Sequence, residues 1–349
     1  MKHLCLLGDA NHVHLRRWAA EMVARGWRVS VVTARPESQA GVTQCVLQPV
    51  FKPWDWLFRV KDARRAVEML KPDLIHAHYV TSYGYLGARV ADRRPLLITA
   101  WGSDLLVTPR ESWLKRWLTA WSLRRARAVT GDSADLVAVA RELAPQVPAH
   151  EVHWGVDLSR FAPVSWGQKP GFEAVSLRSW APNYRIDLIL RALARVRQQH
   201  PGAHLHLLGG GPDEAALRAL AQELGVESAA TFHGRLDDAG MAAVMARCKL
   251  SISVPRSDAT SVSLLEGMAC GLAVLASDLP ANRQWLPPEC CVPVDDEALL
   301  AQRWSAWAAE EAPAAAQGQA NAERMVREGA RSVQMDRVDA LYRAVLNQA

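Results

Sequence analysis

Short apolar runs alternate with segments of helical periodicity along most of the chain, and this alternation occurs twice. In the first half the apolar runs are residues 4–7, 29–33, 74–77, 96–100 and 128–130, with helical segments such as 14–25 between them. Apolar runs of this length that alternate with helices predict βαβ units, and therefore parallel sheets covered by helices.

The alternation is interrupted once, near residues 150–166, where Pro148, Gly155 and Pro163 break the pattern. It then resumes with apolar runs at 174–177, 205–208, 230–232, 250–254 and 273–276 and helical segments such as 187–199. We therefore predict an α/β protein of two Rossmann-like domains, residues 1–155 and 156–325, with parallel sheets that face each other across a cleft.

Net charge and cysteine content indicate which kind of partner and which cellular compartment suit the protein. The 349 residues carry a formal charge of +5 and a pI near 9.0, which favours an anionic partner such as a nucleotide, a nucleic acid or a lipid surface. The six cysteines form no Cys-x-x-Cys pair, so neither a metal site nor a disulfide framework is expected, and reduced thiols suit the cytoplasm.

Membrane insertion is not expected either. The first apolar run ends at Gly8-Asp9, which is too early for a signal peptide, and no window reaches the roughly 18 to 20 apolar residues of a spanning helix. No nucleic-acid-binding motif is present, and no Gly-x-Gly-x-x-Gly follows the first strand, so nucleic acid is excluded as a partner and an oxidoreductase is disfavoured.

The most informative stretch is residues 258–271, which follow a predicted strand. A small polar loop leads into a helix here, so the free N–H groups of Ala259, Thr260, Ser261 and Val262 and the positive end of the helix dipole can hold a phosphate. Asp258 and Glu266 place two carboxylates beside that position. An alternative interpretation needs no ligand, because Ser263-x-x-Glu266 also has the spacing of a capping box.

This stretch resembles the acidic motif of the family-4 retaining glycosyltransferases, known as glycosyltransferase group 1, in which two acids seven residues apart precede a Met-Ala-x-Gly helix. Asp258 stands where that family usually has Glu. The resemblance implies a GT-B fold in which a C-terminal helix, residues 326–349, returns to the first domain. It also implies that a hexosyl group is transferred, with retention, from a nucleoside diphosphate sugar to a hydroxyl acceptor. A UDP-sugar is favoured over a GDP-sugar as donor, and the expected acceptor is a lipid-linked or cell-envelope polysaccharide precursor. No cofactor or metal is required.

Other motifs fall in the order of that family. Arg178, after the strand at 174–177, resembles the diphosphate-binding arginine, and Arg185 or Asn183 replaces its companion lysine. The resemblance implies that Asp258 orients the sugar and that Glu266 accepts from the ribose. The remaining donor-binding residues that it implies lie in two glycine turns, namely Gly209, Gly211, His233 and Gly234.

The first domain supplies the acceptor side in such enzymes. Asn11, His12 and His14 follow the first strand, where the family has a glycine-containing loop that meets phosphate and acceptor. A histidine satisfied by local hydrogen bonds is an equal alternative for His14. His78 and Asp104 end two neighbouring predicted strands, and Trp101 replaces a histidine of the family motif, so His78 and Asp104 are the further catalytic candidates.

A basic, tryptophan-rich segment follows at residues 110–127, and 51–59 is a second aromatic and basic stretch. The helical spacing indicates an amphipathic helix that docks on an anionic membrane, or else a tryptophan stripe that packs against the sheet. The first interpretation predicts a protein peripheral to the cytoplasmic side of the membrane. Its docking residues are Trp113, Lys115, Arg116, Trp117, Trp121 and Arg124.

Two other activities remain open at this stage. The same fold also supports epimerisation or hydrolysis of a nucleotide sugar, although extra catalytic acids for these reactions are not identifiable. A non-catalytic nucleotide-binding protein is the alternative from another class. Binding of nucleotide sugars, and its dependence on Arg178 and Glu266, discriminates among them.

Overall fold

The computed structural model describes residues 1–347 and divides the chain into two compact units. The first unit contains Met1–Trp154 and the chain from Gln334 onward, and the second contains Gly155–Val333. The division at Trp154 and Gly155 lies within the linker expected from the sequence. The return to the first unit at Gln334 comes eight residues after the expected boundary at 326, because the helix that carries it begins only at Arg331.

The first unit is built on a seven-stranded sheet in which all strands are parallel, in the order β3-β2-β1-β4-β5-β6-β7. Its strands are β1 His3–Leu7, β2 Arg28–Thr33, β3 Val42–Val46, β4 Leu74–His78, β5 Leu96–Thr99, β6 Ala128–Gly131 and β7 Ala149–Glu151. The strand order reverses between β1 and β4. The carboxyl ends of these two strands therefore flank a crevice of the kind in which open α/β sheets bind ligands.

Helices cover both faces of this sheet. They are α1 Val13–Ala24, α2 Asp55–Leu70, α3 Tyr85–Val90, α4 Ser103–Leu106, α5 Thr108–Glu111, α6 Trp113–Leu123 and α7 Ala134–Leu143, with a π-helical turn at Val80–Gly84. The central strands β1, β4 and β5 are buried along their whole length, as expected for apolar runs in a parallel sheet.

The second unit repeats this architecture with six parallel strands in the order β10-β9-β8-β11-β12-β13. Its strands are β8 Glu173–Ser176, β9 His204–Leu208, β10 Ala230–Gly234, β11 Leu250–Ser253, β12 Ala273–Ser277 and β13 Cys291–Val292. Its helices are α8 Ile186–Gln199, α9 Glu214–Glu223, α10 Asp238–Arg247, α11 Val262–Ala269, α12 Pro280–Arg283, α13 Glu297–Ala309 and α14 Glu311–Arg324. The order reverses between β8 and β11. The fold prediction, two Rossmann-like α/β domains, is confirmed.

The C-terminal helix α15, Arg331–Asn347, packs on the first unit through Tyr342. The Tyr342 hydroxyl accepts a hydrogen bond from Trp18 Nε1 at 2.9 Å and is 2.5 Å from His76 Nδ1. His76 continues the chain to Thr99 on β5, whose Oγ1 lies 2.6 Å from His76 Nε2. The last helix is therefore attached to the centre of the first sheet by a buried polar chain.

Three strands were not predicted: β3, β7 and β13. β3 is an edge strand whose residues are half-buried or exposed, so it lacks the apolar run that marks the inner strands. β7 is the edge strand on the opposite side of the first sheet, and β13 is an edge strand of the second sheet. They have three and two residues, which is too short for a hydrophobic period to be recognised in the sequence. Among residues 1–347, no helix combines the length and hydropathy needed to span a bilayer.

Candidate active site

Arg178 and Asp258 meet at the reversal point of the second sheet. Arg178 follows β8 and Asp258 lies in the loop after β11, so the reversal brings together two residues that are 80 positions apart. The guanidinium NH2 of Arg178 donates to Asp258 Oδ2 at 2.5 Å. Burial raises the pKa of Asp258, although the charge of Arg178 and the N–H of Ala259 act in the opposite direction.

The guanidinium of Arg178 is held from several sides. Its NH1 donates to the hydroxyls of Ser261 and Ser263, and its plane lies 4.5 Å from the centre of the Tyr184 ring. Its Nε is buried and has no hydrogen-bond partner within residues 1–347. Arg178 is thus a pre-oriented, nearly buried cation whose Nε–H is left without an acceptor in this part of the chain.

The helix α11 begins one turn after Asp258, and its N-cap is Ser261, not Ser263. The Ser261 hydroxyl accepts from Leu264 N–H at 3.4 Å. Ser263 lies inside the first turn and binds Arg178 instead. The capping-box interpretation of Ser263 and Glu266 is therefore wrong, since Ser263 does not occupy the N-cap position that this motif requires.

Several of the other residues predicted for the donor site lie in the same segment. Thr260 and Ser261 are buried before the helix, and Ala259 is half-buried at the loop. Glu266 is buried in the second turn of α11. The structure therefore places the N–H groups of the helix start next to the Arg178 side chain, so that cation and helix dipole act on the same volume.

Arg185 does not share this position. Its guanidinium forms an ion pair with Asp187 at 2.9 Å and another with Asp295, and Asp295 also pairs with Arg256 at 3.0 Å. Two carboxylates already neutralise Arg185, so it does not replace the companion lysine in this structure.

Asn183 was expected as the other possible replacement for the companion lysine, but its side chain binds the backbone of the loop. Its side-chain amide donates to the carbonyl of Ser257 at 2.9 Å and accepts from the Ser257 N–H at 3.2 Å. Its own carbonyl accepts from Arg256 N–H at 2.9 Å. Asn183 therefore fixes the backbone immediately before Asp258.

The glycine turn after β9 packs directly on the Arg178 segment. A Cβ on Gly209 would lie 2.2 Å from the carbonyl oxygen of Arg178, and one on Gly211 would lie 2.2 Å from that of Trp180. The N–H of Gly209 donates to the carbonyl of Gly234, the last residue of β10, at 2.9 Å. Close backbone approach explains both glycines, so their presence alone does not require a phosphate.

His233 is linked to a polar chain that crosses three strands. Its Nε2 lies 2.9 Å from Nδ1 of His206, and His206 Nε2 lies 2.9 Å from the carboxylate of Glu173, which Arg247 also binds. Burial, and then the charges of His206 and Arg247, lower the pKa of His233. This chain fixes the orientation of the His233 ring at the end of β10.

Glu173, His206 and Cys248 bring three ligand-type atoms within 4.8 Å of one another. The carboxylate already binds His206 and Arg247, and the Cys248 thiol donates to the carbonyl of Val244 at 3.3 Å. Burial raises the pKa of the Cys248 thiol strongly, whereas a metal ligand must be a thiolate. The cluster is accounted for by its own hydrogen bonds and ion pairs.

In the first unit, the loop after β1 lies among aromatic rings. His12 is the N-cap of α1, and its Nδ1 accepts from His14 N–H at 3.3 Å. The His12 ring is 4.5 Å from Trp101, and the His14 ring stacks on Trp154 at 4.6 Å. Burial lowers the pKa of His12. Asn11 is exposed beside this cluster, and its N–H donates to Asp9.

His78, at the end of β4, is buried beneath the same rings. Its Nδ1 accepts from Trp101 Nε1 at 3.4 Å, whereas its Nε2 has no hydrogen-bond partner within residues 1–347. Burial, and then the charges of His76, His12 and His14, hold the pKa of His78 well below its ordinary value. His78 is therefore a neutral imidazole with its Nε2 left to donate.

Asp104 is fully buried and holds two loops together. Its carboxylate accepts from the backbone N–H groups of Val80 at 2.7 Å, Trp101 at 3.0 Å and Gly102 at 2.9 Å. Burial raises the pKa of Asp104, against the effect of these N–H groups. We assign Asp104 to positioning the ends of β4 and β5, since no part of its side chain is exposed to a substrate.

A pocket of about 810 Å³ opens beside His12, His78 and Trp101 in the first unit. Aromatic rings make up much of its wall, and three cations border it. The rings are Phe51, Trp56, Tyr79, Tyr83, Tyr85 and Trp101, and the cations are Arg35, Lys52 and Lys115. Its size suits a ligand larger than a single sugar ring.

The helix α6 exposes much of its tryptophan stripe. Trp113 is 79% exposed and Trp117 is 54% exposed, so the interpretation that this stripe packs against the sheet is wrong for both. Trp121 is half-buried, with the Arg125 guanidinium 3.7 Å from its ring centre. The other docking candidates, Lys115, Arg116 and Arg124, are all exposed. Lys115 forms an ion pair with Glu111 and Arg116 forms one with Glu142, whereas Arg124 is the C-cap residue of the helix.

Comparison with known families decides the class of the protein. Residues 3–133 match the model described as glycosyl transferase 4-like, and residues 174–309 match that of glycosyl transferases group 1. Together they cover most of both units. The chain belongs to the glycosyltransferase group 1 family. It is therefore a glycosyltransferase of the GT-B type, and the family expected from the motif order is confirmed.

Three known proteins illustrate this relationship. A putative glycosyltransferase, EpsD, from Bacillus subtilis is 24% identical over 79% of this chain and 77% of its own length. Sucrose-phosphate synthase from Thermosynechococcus elongatus superimposes with a TM-score of 0.84 at 19% identity, covering all of both chains. HepE from Anabaena, in complex with UDP-glucose, gives 0.78 at 16% identity over 99% of this chain and 100% of its own. At such identities the two solved structures establish the fold alone.

Two features of the site were not anticipated from the sequence. Tyr184 packs its ring on the Arg178 guanidinium, and Asn183 fixes the loop before Asp258. Both belong to the short 3₁₀ turn Pro182–Tyr184, which has no sequence period. The Pro182 that opens this turn is the one signal that could have located it.

Proposed function

We propose that this glycosyltransferase transfers a hexosyl group, with retention, from a nucleoside diphosphate sugar to a hydroxyl acceptor. One observation carries the proposal: Arg178, Asp258 and the start of α11 meet at the reversal point of the second sheet. Parallel sheets bind phosphorylated ligands at such points. Retention is proposed from the family that the motif order resembles.

The chemistry of the donor site suits departure of a diphosphate. Negative charge develops on the leaving group as the glycosidic bond breaks, and fixed positive groups stabilise that transition state. Arg178 supplies a guanidinium, and the N–H groups of residues 259–262 supply a helix dipole beside it. Since these groups already provide positive charge, we propose a reaction that needs no divalent metal.

Two carboxylates complete the proposed donor site. Glu266 on α11 accepts from the ribose, and Asp258 orients the sugar while it holds Arg178. The shorter side chain of Asp258, compared with the Glu usual in the family, leaves more room between loop and sugar. UDP is the proposed nucleotide ahead of GDP, which is consistent with the UDP-glucose complex of HepE.

The acceptor is proposed to bind in the first unit. Its pocket of about 810 Å³ offers aromatic rings for a sugar or an apolar chain and cations for a phosphate. Such a mixed wall suits a lipid-linked precursor of a cell-envelope polysaccharide. The neutral His78 lies at its wall, where Nε2 can donate to an acceptor oxygen.

We propose peripheral attachment to an anionic membrane on the cytoplasmic side. The exposed rings of Trp113 and Trp117 and the exposed Phe51 lie on segments that also border the acceptor pocket. Indole rings favour the interfacial region of a bilayer, and neighbouring cations attract its anionic surface. The six cysteines are unpaired thiols, which is consistent with a reducing compartment.

The decisive experiment compares donor binding across variants. UDP-, GDP- and ADP-sugars are titrated by calorimetry against the wild type, Arg178→Ala and Glu266→Ala, and slow hydrolysis is followed in parallel. The matched control is an ion pair of the same unit that lies outside the proposed site, between the exposed Arg195 and the half-buried Glu297, tested as Arg195→Ala and Glu297→Ala. We expect one nucleotide series to bind the wild type and both controls, and each site variant to lose about tenfold or more in affinity, as for charged hydrogen bonds.

Failure of every nucleotide sugar to bind the wild type would refute the proposed nucleoside diphosphate sugar donor. Equal losses in the site variants and the surface controls would refute the assignment of Arg178 and Glu266. The metal-independence proposal is tested by repeating turnover in the presence of a chelator, where an unchanged rate is expected.

A further inference from the structure

A second, smaller pocket of about 380 Å³ lies in the first unit, where α3 and α6 both end. Its wall contains Arg64, Arg89, Arg94 and Arg125, a single acid, Asp92, and the indole of Trp121. Four guanidiniums facing one carboxylate form a strongly basic pocket. Neither the donor site nor the acceptor pocket uses these arginines.

The single acid does not neutralise the pocket. Asp92 is engaged by Arg64, whose NH1 donates to both carboxylate oxygens at 3.0 and 2.8 Å. No carboxylate within residues 1–347 forms an ion pair with Arg89, Arg94 or Arg125. Three positive charges therefore remain uncompensated around one volume, which favours occupation by an anion.

The indole of Trp121 fixes two of these cations. The Arg125 guanidinium lies 3.7 Å from the Trp121 ring centre and that of Arg89 lies 5.9 Å from it. Arg64 NH2 also donates to the carbonyl of Arg89 at 2.6 Å. These contacts hold the guanidiniums near one another before any ligand arrives, although like charges repel.

A purely structural explanation accounts for only part of this arrangement. Arg89 is in the last turn of α3 and Arg125 follows α6, and cations stabilise the negative ends of helices. A helix terminus carries the equivalent of only about half a charge. Two termini therefore balance one of the three unpaired guanidiniums, so the helix ends do not account for the other two.

The location of the pocket identifies the kind of anion. Trp113, Trp117 and Trp121 are four residues apart on α6, so they form one stripe about 12 Å long. The first two indoles are exposed, and the third enters the arginine pocket. When exposed indoles enter the interfacial region of a bilayer, the pocket at the end of their stripe comes to the depth of the phosphates.

We propose that Arg89, Arg94 and Arg125, arranged around Trp121, bind the phosphate of an anionic membrane lipid. Guanidinium groups match phosphate oxygens bidentately, and the stripe of α6 brings the pocket to the bilayer surface. This inference rests on the proposed docking of the first unit and adds the headgroup site that would retain it there.

The test measures binding of the full chain to sedimented vesicles. Vesicles of phosphatidylglycerol and phosphatidylcholine are compared with vesicles of phosphatidylcholine alone. The site variant is Arg89→Gln/Arg94→Gln/Arg125→Gln, and the control removes three exposed arginines of the second unit, Arg195→Gln/Arg218→Gln/Arg283→Gln. We expect the site variant to lose about fivefold in partitioning per arginine, roughly a hundredfold in all, and the control to lose far less.

A second measurement detects the phosphate itself. Inorganic phosphate is titrated at constant ionic strength while tryptophan fluorescence is recorded. The same titration of Trp121→Phe identifies the part of the fluorescence change that comes from Trp121. We expect saturable binding in the wild type, loss of it in the site variant, and displacement of the protein from anionic vesicles by phosphate. Phosphate binding without any vesicle binding would overturn the lipid assignment in favour of a soluble phosphate.

Other outcomes separate this inference from the proposed function. If the site variant and the control lose vesicle binding equally, net charge alone acts and the pocket is refuted. If Trp113→Ala/Trp117→Ala abolishes vesicle binding while the arginine variant retains it, docking stands and the headgroup site fails. Nucleotide-sugar binding is measured in the wild type and in every variant. Its absence from the wild type would refute the proposed donor and leave the arginine pocket untouched, whereas the arginine variant should bind the donor as the wild type does.

Discussion

The carboxylate of Asp258 lies 2.5 Å from the guanidinium of Arg178, so the cation proposed for the diphosphate is already paired before any donor binds. Both side chains are largely buried, with exposed fractions of 22% and 10%. The ion pair keeps Arg178 oriented toward the start of α11, while the charge of Asp258 reduces its attraction for an anion. A donor diphosphate must therefore share or replace this carboxylate.

This pairing predicts different effects for two substitutions. Arg178→Ala leaves Asp258 buried without its partner, so we expect a loss of about 1–3 kcal/mol in the free energy of unfolding together with weaker donor binding. Asp258→Asn keeps a hydrogen-bond acceptor and frees the guanidinium charge, so we expect UDP to bind at least as tightly while turnover falls. Urea denaturation and UDP titration measure both, and weaker UDP binding in Asp258→Asn would contradict the proposed competition.

The buried histidines of the first unit predict a loss of stability in acid. Burial lowers the pKa of His76 to about 3 and holds that of His78 well below 6.5. Below pH 6.5 these histidines take up protons in the unfolded chain but stay neutral in the folded one. Acid therefore favours unfolding, so stability is at its full value above pH 6.5 and falls as the pH decreases toward about 3. We expect a slope of up to about 1.4 kcal/mol per pH unit for each histidine.

Urea denaturation across this pH range measures the slope. His76→Gln should reduce it, whereas His150→Gln, at an exposed position, should leave it unchanged. An identical slope in wild type and His76→Gln would show that other groups cause the acid sensitivity.

Asp104 should matter to the first unit alone. Asp104→Ala leaves three buried backbone N–H groups without their acceptor, so we expect a loss of about 2–4 kcal/mol in stability and weaker acceptor use. Donor binding to the second unit should persist. Calorimetric unfolding and donor titration of the same variant check this, and lost donor binding with unchanged thermal stability would contradict the positioning role.

Tyr342 should stabilise the attachment of the C-terminal helix. Tyr342→Phe keeps the ring but removes the hydroxyl that links Trp18 and His76, so we expect a loss of about 1–3 kcal/mol. Hydrogen exchange should rise most in α15 and in the strands that it contacts. Tyr184→Phe, whose ring also contacts an arginine, is the matched control and should leave exchange in α15 unaltered.

The sequence was sufficient for features that depend on short-range physics. Apolar runs and helical periods located the inner strands, since burial on both faces imposes its own composition. The same local order placed Arg178 after β8 and residues 258–262 at the start of α11. The sequence pattern did not identify the N-cap of α11, which is Ser261 and not Ser263. The N-cap is set by the residue at which the backbone becomes helical, and several small polar residues of this loop could occupy that position.

Only the tertiary structure decided which distant groups meet. Arg185 and Arg178 look alike in the sequence, yet one is neutralised by Asp187 and Asp295 while the other faces the start of α11. His76 and Tyr342 are 266 residues apart and touch at the centre of the first sheet. A sequence pattern specifies the face and the element on which a side chain lies, whereas strand order and helix packing determine its partners. Those partners separate a ligand-binding arginine from a structural one.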